Sequence, residues 1–181
     1  MSTPRRPDPA KLVIGLFMND QAIFQALLES LEKRFGIIDM ISPWFDFDYT
    51  DYYQKEMGAS LFRRVAVFKD LVEQDNLADI KITTNEIEAA WTTNGNRAVN
   101  IDPGYLVKSR FILATGKDFA HRVYIGRGIY ADLTLMYKKG KFMDLDWTYP
   151  DYRGDDIKGF LEIARSKYCL DFKKKRETLD D

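Results

Sequence analysis

The sequence has little of the side-chain chemistry on which many enzymes and metal sites depend. Cys169 is its sole cysteine and His121 its sole histidine. One cysteine cannot form an intrachain disulfide, and one residue of each type cannot supply a cysteine-based or histidine-rich zinc site. A single cysteine also fits a reducing compartment, so we expect a cytoplasmic protein.

Long apolar runs are missing as well. The run Leu12–Met18 follows basic residues, as in a signal peptide, but it leads into Asn19 and Asp20 without a small-residue cleavage site. A bilayer-spanning helix needs about 20 apolar residues, and no run approaches that length. We therefore expect no membrane partner.

Common motifs of nucleotide binding and hydrolysis are also absent. The two Gly-Lys pairs, at 116–117 and 140–141, are not followed by Ser or Thr, as a phosphate-binding loop requires. Gly126 and Gly128 lie between two strand-like segments, so they do not open a dinucleotide-binding turn. No G-x-S-x-G sequence is present, which excludes a standard Ser-His-Asp hydrolase.

What the sequence does contain is typical of a globular domain with an uneven charge. Hydrophobic residues make up 45% and charged residues 30%, and the net charge is −1, so nucleic acid is not an expected partner. Residues 108–141 carry eight Lys or Arg against two Asp, a net of +6. Residues 70–90 carry six acids against one Lys, a net of −5. We predict a polarised domain with a basic side.

Periodicity in the first half predicts the order strand, helix, strand, strand, helix. Leu12–Met18 is typical of a central strand covered on both faces. Strands are expected from Ile37 and over Leu61–Phe68. Spacings of three and four residues predict two amphipathic helices, which Gly36 and Asn94-Gly95 end. Their apolar positions are Ile23, Leu27, Leu31 and Phe35, and Leu77, Ile80, Thr84, Ile87 and Trp91.

The second half predicts further strands and a last helix. Asp102-Pro103-Gly104 is typical of a turn before a strand over Leu106–Ala114. A three-stranded meander is expected from His121, with turns at 126–128 and 138–140. A helix is expected from about Asp155 to Tyr168.

Strand register in the meander depends on the length of its first loop. A three-residue loop places Ile125 opposite Ile129 and Arg122 opposite Asp132. A two-residue loop would mix the two faces, so we predict the three-residue register.

These elements predict one α+β domain over residues 11–172. Its sheet is mixed and mostly antiparallel, with helices mainly on one face, ferredoxin-like at its start and extended by the C-terminal three-stranded meander. Residues 1–10 are expected to form a disordered arm and residues 173–181 a frayed tail.

The first candidate site lies at the entry to the meander. Lys117 can act as a point charge and Arg122 as a bidentate donor to an anionic ligand. His121 can exchange a proton near neutral pH, and Tyr124 can form a wall. In the alternative interpretation, Arg122 forms an ordinary cross-strand ion pair with Asp132, and His121 faces the core.

A second group of candidates lies in the aromatic loop 147–153. Tyr149 can form a wall, and Asp151 and Arg153 can orient a ligand. The alternative is a buried aromatic plug between the meander and the last helix. Asp102 is a further candidate, although Asp before Pro-Gly is also what a turn prefers.

A metal site is a separate alternative. Asp46-Phe47-Asp48 has the D-x-D form that can hold Mg²⁺ against a nucleotide-sugar phosphate in a transferase. On an alternating strand, Asp46 and Asp48 would instead share a solvated face. Mg²⁺ is expected only under this alternative. The other acidic feature, the acidic face of the second helix, is interpreted as solvent-exposed.

Several segments together resemble a known family. They are NIDPGYL at 100–106, KDFAHRVYIGRGIYADLTLMY at 117–137, WTYPDYR at 147–153 and TNEIE at 84–88. Over nearly its whole length the chain resembles an uncharacterised bacterial family, the domain of unknown function DUF4416. Members are sometimes labelled GTP-binding proteins. The resemblance implies a bacterial protein of one domain, but it implies no established reaction.

Two functional hypotheses follow. The first is binding, with or without turnover, of a nucleotide or other phosphorylated small molecule at the basic side of the meander. The second is a non-catalytic interaction or regulatory domain that forms a homo-oligomer through an open sheet edge or through its polarised surface.

Overall fold

The apolar run predicted to be a central strand lies in the middle of the sheet. The computed structural model describes residues 1–47, 57, 61–93 and 95–180. The helices are α1 (Phe24–Phe35), α2 (Leu77–Ala90) and α3 (Asp155–Asp180). The strands are β1 (Ala10–Met18), β2 (Ile38–Ile41), β3 (Phe45–Phe47), β4 (Leu61–Val72), β5 (Thr92–Thr93), β6 (Asn96–Arg97), β7 (Val99–Val107), β8 (Arg110–Thr115), β9 (Arg122–Gly126), β10 (Ile129–Lys138) and β11 (Lys141–Asp144).

The sheet has the predicted ferredoxin-like start. Its strand order is β11-β10-β8-β7-β1-β4-β2, with β3 also paired to β4 and β9 to β10. The segment β7-β1-β4-β2, with α1 and α2 as its connections, is the order of a ferredoxin-like fold, and each of its pairings is antiparallel. Strands β8 to β11 extend it, and the predicted α+β class is confirmed. Both predicted hairpins of the meander form, but β8 pairs along one edge of β10, so β9 and β11 pair with successive segments of its other edge.

Helices cover both faces of the sheet. Leu12 and Ile14 of β1 pack in one cluster with Leu27 of α1 and Ile80 of α2. Val13, which points to the opposite face, belongs to the cluster that contains the inward residues of α3, namely Ile157, Leu161, Ala164 and Tyr168. Because both faces of β1 are covered, its sequence is apolar throughout, as predicted.

The predicted turn at Asp102-Pro103-Gly104 is wrong, because these residues lie inside β7. The chain turns at Lys108-Ser109 instead, between β7 and β8, so Leu106–Ala114 is a hairpin and not one strand. Gly104 serves close strand contact here, since a Cβ on it would lie 2.3 Å from the carbonyl oxygen of Ile112. Pro103 and Gly104 thus lie inside a strand, although their composition is also that of a turn.

One register prediction and one predicted helix end need correction. In the meander, Arg122 does pair with Asp132, but Ile129 pairs with Gly126 and not with Ile125, because a bulge follows the hairpin turn. Helix α2 ends at Ala90, and Gly95 lies in the turn between β5 and β6.

Helix α3 extends into the tail and contacts the end of the N-terminal arm. The backbone of α3 is helical through residue 180, which includes most of the tail expected to fray. Tyr168 donates a hydrogen bond to the carbonyl oxygen of Pro9 at 2.9 Å, which holds the end of the N-terminal arm against α3. Within the described residues, no helix has the length and apolar character that a membrane span needs.

Candidate functional site

The sheet opens between β7 and β8, and this opening forms a cavity. The two strands pair from Val107–Arg110 as far as Gly104–Leu113 and then separate, while β8 stays paired with β10. The space between them, here called the cleft, has a volume of about 670 Å³. Its walls come from α2 on one face of the sheet and from the loop before α3 on the other.

Pro103 explains why the strands separate where they do. Backbone groups of alternate strand residues point to the same side. The N–H and C=O of Ile101 point away from β1, toward the cleft, and therefore so does the nitrogen of Pro103. Proline has no N–H, so the β7–β8 ladder has no donor at this position.

Two side chains of α2 complete the open edge of β7. The N–H of Ile101 donates to Oε1 of Glu88 at 2.7 Å, and Nζ of Lys81 donates to the carbonyl oxygen of Ile101 at 2.8 Å. Lys81 and Glu88 are seven residues apart, so they lie on one side of the helix two turns apart. They satisfy the backbone groups that a paired strand would otherwise satisfy.

A network of charged side chains extends from this edge along the cleft. Nη1 of Arg97 lies 3.0 Å from Oε2 of Glu88, and Nδ2 of Asn100 donates to Oδ2 of Asp102 at 2.7 Å. Burial raises the pKa of Glu88, and the charge of Lys81 opposes this shift. Glu88 is buried, so interpreting the acidic face of this helix as solvent-exposed was wrong for this residue.

The loop before α3 forms the opposite wall. Asp151 accepts from buried Arg63, whose Nη1 lies 2.9 Å from its carboxylate and 2.5 Å from its carbonyl oxygen. Burial raises the pKa of Asp151, and the guanidinium of Arg63 opposes the shift. The guanidinium also stacks on the ring of Tyr152, 4.2 Å from its centroid. The loop is therefore held to the sheet by a buried ion pair and an aromatic contact.

Arg122 has a structural position beside the cleft. Its side chain is 1% exposed. It donates to Asp132 at 2.9 Å, to the carbonyl oxygen of Lys117 at 2.9 Å and to the hydroxyl of Tyr149. His121 contacts the same carboxylate at 3.2 Å and stacks on Trp147. The cross-strand ion pair of the alternative interpretation forms and is buried, and all three guanidinium nitrogens have acceptors within the protein.

The structure brings four of the predicted residues together and separates the others. Lys117, Tyr149, Asp151 and Asp102 line the cleft, and His121 and Arg122 lie behind its wall.

The other two predicted residues, Tyr124 and Arg153, do not line the cleft either. The hydroxyl of Tyr124 accepts from the N–H of Gly128 at 3.3 Å, and the ring is 59% exposed. Arg153 binds the carbonyl oxygens of Thr148 and Asp146. Of the alternative metal pair, Asp46 has its backbone in β3, but its side chain and all of Asp48 lie outside the described residues.

Sequence reasoning missed several of the residues that line the cleft. They are Lys81, Glu88, Arg97, Asn100 and Tyr152. One available signal was Lys81, the single lysine in an otherwise acidic stretch, seven residues before Glu88. In the part of the chain that the structure describes, no group of His, Cys, Asp or Glu is arranged to hold a metal ion.

The cleft carries both signs of charge. Lys81, Arg97 and Lys117 line it together with the acids Glu88, Asp102, Asp132 and Asp151. The basic meander is also partly neutralised from outside, because Arg127 pairs with Asp79 of α2. The expected polarised surface is thus reduced by contacts within the fold.

Comparison with known proteins gives one match. The family model described as Domain of unknown function (DUF4416) matches residues 8–168. Neither a search of curated proteins nor a search of solved structures finds a similar protein.

Proposed function

Since the chain belongs to the family of the domain of unknown function DUF4416, we propose its function from geometry: it binds a nucleotide or another phosphorylated small molecule in the cleft. The observation that carries this proposal is a cavity with aromatic walls, a lysine at its mouth and buried polar groups at its inner end. We place this activity in the cytoplasm, which the single Cys169 supports.

The size and the walls of the cleft suit a molecule with a ring. A volume of about 670 Å³ lies within the range of ligand sites. Phe17, Phe119 and Tyr149 supply aromatic surface, on which flat rings stack with little dependence on their substituents.

Charge favours a phosphate at the mouth and not at the inner end. Lys117 lies in the exposed segment after β8, where a point charge can meet a phosphate without the cost of burial. At the inner end, Lys81, Arg97 and Arg63 already pair with Asp102, Glu88 and Asp151, so no cation there is left to a phosphate without breaking an existing ion pair. A bound nucleotide therefore has its phosphates outward and its uncharged part inward.

Thermal unfolding with a panel of nucleotides, nucleotide sugars and phosphorylated metabolites, each with and without Mg²⁺, tests the proposal. A ligand at 100 times its Kd stabilises the folded state by about 2.7 kcal/mol. Lys117→Ala is expected to weaken binding about tenfold. Lys138→Ala removes the same charge from the exposed end of β10 and is the control. Absence of any shift with the panel, or equal loss in both variants, contradicts the proposal.

Self-association through the sheet edge is the second candidate. Strand β9 pairs with β10 at the sheet margin and exposes 66% of Val123 and 59% of Tyr124. Exposed apolar side chains on an edge strand favour pairing with a second copy. Light scattering after size exclusion tests this: the parent would be a dimer and Val123→Lys a monomer. A monomeric parent at high concentration contradicts it.

A further inference from the structure

The hydroxyl of Tyr152 is a buried polar group at the inner end of the cleft. The residue lines the cleft and is 3% exposed, and no acceptor for its hydroxyl proton lies within hydrogen-bond distance among the described residues. Burial holds the pKa of Tyr152 well above its ordinary value, and Arg63 opposes this shift by less, through its charge and through a hydrogen bond that it donates to the hydroxyl. The group is therefore an O–H donor near neutral pH, and a buried donor needs an acceptor.

Gly15 provides the space in which this hydroxyl lies. A Cβ on Gly15 would be 2.9 Å from Oη of Tyr152 and 3.8 Å from Cβ of Asp102. The hydroxyl and Asp102 are therefore neighbours above the same glycine of β1. Any larger residue at position 15 would displace the tyrosine ring.

Asp102 supplies an acceptor next to this donor. Oδ2 already accepts from Asn100, whereas Oδ1 lies 3.7 Å from Nζ of Lys81, beyond hydrogen-bond distance. A carboxylate oxygen accepts more than one hydrogen bond. The side chain is 29% exposed and lines the cleft, so a ligand can reach Oδ1.

A donor beside an acceptor selects the chemistry of the group between them. A phosphate only accepts and would be repelled by Asp102. An ammonium only donates and leaves the Tyr152 O–H without an acceptor. A hydroxyl or an amide does both, without charge.

We infer, on the basis of the proposed function, that the inner end of the cleft binds a neutral ligand group that accepts from Tyr152 and donates to Asp102. Two parts of a phosphorylated ligand have this chemistry: the hydroxyls of a sugar and the amide edge of a nucleobase. In either case Tyr152 and Asp102 determine which phosphorylated molecules bind.

Calorimetric titration with inorganic phosphate, ribose 5-phosphate and GMP separates these sources. Tyr152→Phe removes the donor and keeps the ring. We expect it to weaken GMP binding about tenfold and to leave phosphate binding unchanged. If the sugar occupies the inner end, Tyr152→Phe weakens the binding of ribose 5-phosphate as much as the binding of GMP. If the base occupies the inner end, the variant weakens the binding of GMP alone.

A matched control is Tyr168→Phe, which removes a hydroxyl that binds Pro9 outside the cleft. It is expected to lower the unfolding midpoint without changing affinity, whereas Tyr152→Phe is expected to weaken the binding of GMP.

The two proposals fail differently. A parent protein that binds none of the three probes contradicts the proposed function, and the inference with it. A parent that binds GMP no better than phosphate, or a Tyr152→Phe variant that binds GMP as the parent does, overturns the inference and leaves the proposed function intact.

Discussion

The carboxylate of Glu88 accepts the backbone N–H of Ile101 at 2.7 Å, so a helix side chain replaces a strand at this edge of β7. Glu88→Ala removes the acceptor of a buried N–H and the partner of Arg97. We expect the free energy of unfolding to fall by about 3 kcal/mol in urea titrations. The exposed Glu86→Ala on the same helix is the control, with a loss below about 1 kcal/mol. Equal effects would contradict a structural role for Glu88.

Glu88 also predicts a pH dependence. Burial raises its pKa in the folded state above an ordinary value of about 4.3. Between these two values the folded protein holds a proton that the unfolded chain has released, so stability falls as pH rises. Glu88→Gln cannot titrate. The parent should therefore lose stability relative to this variant as pH rises from about 4, and a parent that instead gains stability relative to Glu88→Gln over this range would refute the assignment.

Asp171 predicts the opposite slope. Burial favours its neutral form, but hydrogen bonds from Lys11 and Lys167 outweigh this and lower its pKa. Lys11 is fully buried, with Nζ 2.5 Å from Oδ2 of Asp171. Asp171→Asn should cost about 3 kcal/mol at pH 7.

The contribution of Asp171 should be present above about pH 3.9 and disappear as pH falls through the lowered pKa. Unfolding at pH 7 and at pH 2 checks this, with Asp155→Asn in the exposed first turn of α3 as the control. A loss that is equal at both pH values would contradict the pairing.

Gly104 is predicted to be irreplaceable for a steric reason. A Cβ there would lie 2.3 Å from a backbone oxygen of Ile112, which cannot move without separating β7 from β8. Gly104→Ala should lower stability by about 3 kcal/mol or more in chemical denaturation. Gly116→Ala, with nothing within 4 Å of the added atom, should stay within about 1 kcal/mol. A tolerated Gly104→Ala would show that the strands are further apart.

Arg122 and Lys117 are predicted to act on different properties. Arg122→Ala leaves Asp132 buried without its main partner and should cost about 3 to 5 kcal/mol. Arg122→Lys should not rescue it, since one ammonium cannot reach three separate acceptors. Lys117→Ala should change the melting temperature little. If Arg122→Ala melts as the parent does, the buried network is not structural.

The sequence predicts those parts of this fold that depend on local pattern. β1 was recognisable because both of its faces are covered, which makes Leu12–Met18 uniformly apolar. The meander was recognisable because Gly128 and Gly140 follow Arg127 and Lys139 in its two turns. The backbone of these turns is left-handed, a conformation that favours glycine.

The inner end of the cleft was not predictable from local pattern. The partner of Glu88 is a backbone group thirteen residues later, and the helix pattern alone places a charged side chain in solvent. Asp102-Pro103-Gly104 has the composition of a turn, yet here proline ends a ladder and glycine permits a close approach. Only the three-dimensional pairing distinguishes these roles.

The gap that begins at Pro103 passes through the sheet from one face to the other. A molecule in it touches α2 on one side and the loop before α3 on the other, so it joins two layers that the sheet otherwise separates. It also lies between the ferredoxin-like strands and the meander. A ligand bound in the cleft would therefore slow amide hydrogen exchange in β7 and β8 together. The ferredoxin-like strands and the meander would then open as one cooperative unit.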